Sequence, residues 1–116
     1  MAGNGKPLEA AQYQLDDEHL QLQAPADGAV LELETLINPE QNTALEGLYV
    51  SSGMFCTQCE AEGFRRITFF PDRPDVMTRY TTTLVADKQR YPVLLSNGNI
   101  IEQGELDDGR HWVTWQ

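Results

Sequence analysis

Between Arg79 and Asp87 the chain alternates with a period of two. Tyr80, Thr82, Leu84 and Ala86 fall on one side, and Thr81, Thr83 and Val85 on the other. Successive side chains of a strand point to opposite faces, so this alternation predicts a strand. Its β-branched and aromatic residues suit a pleated surface. The same period recurs at Leu20 and Leu22, which alternate with Gln21 and Gln23, and at Leu31 and Leu33, which alternate with Glu32 and Glu34. Only Glu60–Ile67 and Pro74–Arg79 have the composition for brief helical turns.

Turn residues separate these runs. Pro25-Ala26-Asp27-Gly28 lies between Leu20–Leu22 and a second run from Val30 to Ile37, which predicts a hairpin with a loop of several residues. Asn38–Asn42 is a polar loop, and Ser52-Gly53 separates Leu48–Ser51 from Met54–Thr57 in another tight pair. Val93-Leu94-Leu95 leads into Ser96-Asn97-Gly98-Asn99, and Ile100-Ile101 resumes. Asn-Gly is the preferred pair for a two-residue hairpin, where both positions need positive φ. With Asp107-Asp108-Gly109 as a second turn, His111–Trp115 closes a predicted three-strand meander. The chain reads as one all-β domain over residues 1–116, a β-sandwich or curved two-layer sheet.

Charge narrows the partners. Eighteen acidic residues against eight basic ones give a net charge of -10. A field of that sign repels phosphate backbones and anionic lipid, which argues against nucleic acid and membrane surfaces and tolerates cationic ligands such as peptide amino termini. Solubility alone also explains it. No stretch approaches the roughly 20 apolar residues of a membrane span. The opening Met1-Ala2-Gly3-Asn4-Gly5-Lys6-Pro7 lacks the apolar core of a signal peptide, so a cytoplasmic location is the expectation.

Local chemistry assigns no reaction. Cys56-Thr57-Gln58-Cys59 is half of a structural zinc site, and His19 and His111 are not spaced to complete it. A redox Cys-x-x-Cys would follow a strand and open a helix, a context missing here, so two reduced cysteines packed as small apolar residues is the simpler reading. Gln58 and Glu60 stand two apart, which in extended backbone aims both side chains the same way. An amide and a carboxylate converging on one spot can hold an amine, although a surface Gln-x-Glu is common. Arg65-Arg66 is expected to pair with acids such as Asp72 or Asp75, and His111, beside Trp112 and Trp115, to pack on a strand. No catalytic triad, phosphate loop or H-E-x-x-H is present.

Longer blocks carry a resemblance. Asn42-Thr43-Ala44-Leu45-Glu46-Gly47-Leu48-Tyr49, Phe55–Arg66, Ile67–Val76, Tyr91–Asn99 and Gly109–Trp112 closely resemble the amino-terminal domain of the bacterial aminopeptidase N family of zinc exopeptidases. The Cys56–Arg65 run is the most specific part; residues before Val30 match in general character only.

The resemblance implies a largely β, saddle-like domain packed over a thermolysin-like catalytic domain. It implies that Glu60 binds the free α-amino group of a peptide and that Gln58 lines the pocket for the first side chain. Asp72 and Pro74 match an Asp-x-Pro element with a structural role. The family's G-A-M-E-N and H-E-x-x-H motifs are absent, so zinc, the cofactor of the full-length enzyme, is expected to be bound outside this chain. The expectation is an inactive piece of a larger aminopeptidase. Two other readings stay open: a stand-alone β-sandwich interaction module, which would cover the Gln58–Glu60 edge, and a thiol protein, which needs an accessible cysteine of lowered pKa.

Overall fold

The computed structural model describes residues 2–3 and 6–116, with side chains from Lys6 onward. Met1, Asn4 and Gly5, part of the opening run read above, lie outside the described residues. The fold is all-β, and every strand pairing among the described residues is antiparallel. Three short 3-10 turns, Ala10–Gln12, Pro39–Gln41 and Phe64–Arg66, take the place of helices there. The chain divides into two compact units, Met1–Val76 and Met77–Gln116.

In the first unit β1 (Ala2–Gly3) pairs with β2 (Lys6–Pro7) and with β5 (Leu31–Glu32). β3 (Tyr13–Leu15) pairs with β4 (Leu20–Leu22). The expected hairpin between Leu20–Leu22 and the Val30 run therefore does not form. Asp16 decides the local pairing: its Oδ1 accepts from the Glu18 and His19 amides at 2.8 and 2.7 Å, closing a short turn. A short loop costs less closure entropy than the longer one through Gly28. The turn at Pro25–Gly28 does form, with the Gly28 amide donating to the Pro25 carbonyl at 3.0 Å.

β6 (Gly47–Ser51) and β7 (Met54–Gln58) make the tight hairpin that Ser52-Gly53 predicts. Both loop residues have positive φ, 51° and 80°, as a two-residue turn matched to strand twist requires. Of the two expected helical stretches, Glu60–Ile67 becomes a turn followed by the 3-10 turn at Phe64–Arg66. Pro74–Arg79 holds only the turn closed by the Val76 amide on the Arg73 carbonyl.

The second unit is one three-stranded sheet. β8 (Thr82–Asp87) and β9 (Ile100–Glu105) flank β10 (Arg110–Trp115), which is central. The period-two reading of β8 holds: Thr82, Leu84 and Ala86 are half-buried and Thr83, Val85 and Asp87 exposed. The expected meander is corrected, because Val93–Leu95 is not a strand. Gly98, at φ 95°, instead turns Asn99 into line with Gln116, and these two residues exchange both backbone hydrogen bonds at 2.9 Å. The segment before it is held by side chains of β10. His111 Nε2 donates to the Tyr91 carbonyl at 2.7 Å, and Trp115 Nε1 donates to the Leu94 carbonyl at 3.2 Å. His111, Val113 and Thr114 are buried, so β10 carries the core of this unit.

Candidate functional site

Gln58 ends β7, and Glu60 follows in the turn that leaves it. Both are exposed, and nothing among the described residues of their own unit covers them. Their side chains do not meet head to head. The Gln58 amide Nε2 donates to the main-chain carbonyl of Glu60 at 3.4 Å, not to its exposed side chain. The peptide between Glu60 and Ala61 is cis. Met54 and Phe55, on the same strand, are also exposed, at 63% and 42%.

The turn after Glu60 folds back tightly. Gly63 is buried, and a Cβ there would lie 2.8 Å from the Gln58 carbonyl oxygen and 2.9 Å from the Cys59 Cα, closer than real contacts allow. Gly47, opposite Gln58 across the hairpin, is equally confined: a Cβ on it would meet the Arg66 Cβ at 2.8 Å. Two glycines thus let the turn close onto the hairpin. Asn42 steadies the approach to β6, donating through Nδ2 to the Glu46 and Leu48 carbonyls at 2.8 and 2.9 Å.

Asp72 fastens the far side of the turn. Its Oδ2 accepts from the Gly63 amide at 3.0 Å, the Arg65 amide at 3.1 Å and Arg65 Nε at 2.8 Å. Arg65 Nη2 also donates to the Asp72 carbonyl at 2.9 Å and to Glu62 Oε2 at 3.0 Å. The Arg65 guanidinium, with the two backbone donors, holds the Asp72 carboxyl below the usual carboxylate range. Phe64 packs on Phe70, ring centroids 5.2 Å apart, beside this network. Of the expected partners for the arginine pair, Arg65 takes Asp72, whereas Arg66 binds Glu46 at 3.0 Å and Asp75 binds Arg73.

Both cysteines are free, and burial, helped by the charge of Asp72, pushes the Cys59 thiol up, opposite to what a reactive thiolate needs. No group of three or more His, Cys, Asp or Glu side chains among the described residues could hold a metal ion. These residues do not fit a zinc site. An open groove of about 950 Å³ runs along the first unit, lined in part by His19, Glu46, Arg66 and Phe69, but neither Gln58 nor Glu60 borders it.

Comparison with known proteins places these residues in a family. The profile of the peptidase M1 N-terminal domain matches residues 1–116. Aminopeptidase N of Haemophilus influenzae is 55% identical over 115 residues, covering 97% of this chain and 13% of that protein. Aminopeptidase N of Caulobacter vibrioides is 53% identical over 115 residues, with 99% and 13% covered. Among solved structures, Legionella pneumophila aminopeptidase A in complex with aspartic acid superposes with a TM-score of 0.83 at 37% identity, over 97% of this chain and 13% of that one. The chain thus spans about an eighth of these relatives' length.

Proposed function

This chain belongs to the peptidase M1 N-terminal domain family, and from that premise we propose that it anchors substrate in a zinc aminopeptidase. The Glu60 carboxylate binds the protonated α-amino group of a peptide, and Gln58 borders the pocket for the first side chain. What carries the reading is the family match across the Gln58-Cys59-Glu60 run, together with an exposed carboxylate on a turn braced from behind. An exopeptidase has to distinguish a chain end from an internal peptide. A fixed carboxylate does so, because a charge-assisted hydrogen bond to an ammonium is lost when the amine is acylated. In a cleft drier than a free surface that interaction strengthens, and it also sets the peptide bond at a fixed distance from the anchor. Bond cleavage is assigned to a zinc-bearing catalytic domain on the same polypeptide.

The test is Glu60→Gln in the complete aminopeptidase that carries this domain. The substitution keeps shape and removes charge. Losing one charged hydrogen bond to substrate, about 1.5–3 kcal/mol, lowers kcat/KM for an aminoacyl anilide by roughly 10- to 100-fold. A value within twofold of the parent enzyme would remove Glu60 from substrate recognition.

A further inference from the structure

Among the described residues no side-chain bond fixes the Glu60 carboxylate, so its placement has to come from the backbone that carries it. That backbone is closed at one end by β7 and at the other by Gly63. Gly63 lies against the Gln58 carbonyl and the Cys59 Cα with no room for a methyl group, so Gly63 cannot shift toward them without displacing residues 58 and 59. The Gly63 carbonyl accepts from the Arg66 amide at 3.0 Å, and the Gly63 amide is held by one oxygen of Asp72, which also accepts from the Arg65 amide and Nε. The Asp72 side chain is only 9% exposed, whereas Arg65 is 57% exposed. The carboxylate is therefore the inner, fixed member of the pair.

We propose that Asp72 is a positioning residue for substrate recognition: by holding Gly63 and Arg65 it fixes the turn that presents Glu60 to the amino terminus of the peptide. This rests on the reading of Glu60 given above. Asp72 touches no substrate; it acts through Glu60. A displacement of even 1 Å at an anchoring group weakens binding and misplaces the scissile bond.

A double-mutant cycle in the complete enzyme separates this role from general support of the fold. KM and kcat for alanine 4-nitroanilide are measured for Asp72→Ala, Glu60→Gln and the pair. The expected result is a KM about tenfold higher for Asp72→Ala alone, and less than twofold higher when Asp72→Ala is added to Glu60→Gln. Residues acting through one contact are non-additive in this way. An equal KM factor in both backgrounds, or a loss confined to kcat, overturns the proposal. If Glu60→Gln itself leaves kcat/KM within twofold of the parent enzyme, the recognition reading falls and this proposal with it. If Asp72→Ala gives no soluble enzyme, Gly63→Ala takes its place in the cycle: it keeps Asp72 and pushes the turn off residues 58 and 59. The same pattern is expected, and additivity there again overturns the proposal.

Discussion

At the scale of single residues, the decisive groups are those whose surroundings the sequence does not reveal. Asp72 reads in sequence as one acid near two arginines, and its pairing with Arg65 was legible from charge and proximity. Its bond to the Gly63 amide was not, because that depends on how the turn folds back. Gly47 and Gly63 carried no signal either, since a glycine's confinement is a property of its neighbours. The pairing has a consequence in acid. The Asp72 carboxyl titrates below its unfolded value of about 3.9, so the unfolded chain binds the proton first. Its contribution to stability is complete above that value and disappears as pH falls through the lower, folded one. Asp72→Asn is therefore expected to lower the thermal midpoint of the complete enzyme near neutral pH. The gap to the parent should narrow progressively below about pH 4. Melting curves from pH 7 to pH 3 check this; a gap that stays constant over that range would remove the charge from the account.

Among the elements, the hairpin expected at Ser52-Gly53 forms, whereas those expected around Pro25–Gly28 and Asn97-Gly98 do not. Ser52-Gly53 has to supply two positive φ angles, and it closes β6 onto β7. Asn97-Gly98 offers the same chemistry but serves a different end, because in the segment before it the Tyr91 and Leu94 carbonyls accept from the His111 and Trp115 side chains rather than from a ladder. Pro92 has no amide to give a ladder in any case. Gly53 has open space around its missing Cβ, so Gly53→Ala isolates the backbone strain at φ 80°. The expected loss is about 1–2 kcal/mol. Ser52→Asn, a residue that accepts the left-handed region more readily, is expected to act in the opposite direction. Chemical denaturation of both variants checks the pair; a Gly53→Ala variant as stable as the parent would contradict the turn assignment. In the second unit, Trp112 lies over Gly104, whose absent Cβ would meet the indole at 3.0 Å. Gly104→Ala therefore has to tilt Trp112 off β9, and a shift in Trp fluorescence with reduced stability is the expected outcome.

On the scale of the whole molecule, the all-β class was legible from alternation and turn residues, and membership in the peptidase family from the blocks around Cys56–Arg65. The extent of burial was not, because it depends on what else the chain packs against. Val113 is the one hydrophobic residue buried among the described residues, while Leu36, Met77, Leu95 and Val30 are 71–100% exposed. A core of that size supplies little of the apolar burial that offsets chain entropy. The chain spans about an eighth of its relatives' length, and under the proposed function these side chains are expected to be covered by the rest of the polypeptide. Two results are then expected of the 116-residue chain by itself. Under the proposed function it hydrolyses no aminoacyl anilide, with or without added zinc, because that reading gives this chain the anchoring carboxylate and places the group that cleaves the bond elsewhere. It also unfolds in urea with a shallow slope, since the slope scales with the surface exposed on unfolding and little is hidden to begin with. Turnover that disappears in Glu60→Gln would show that the chain carries a complete active site. A steep transition typical of a 116-residue domain would show that the exposed apolar side chains are not awaiting a covering surface.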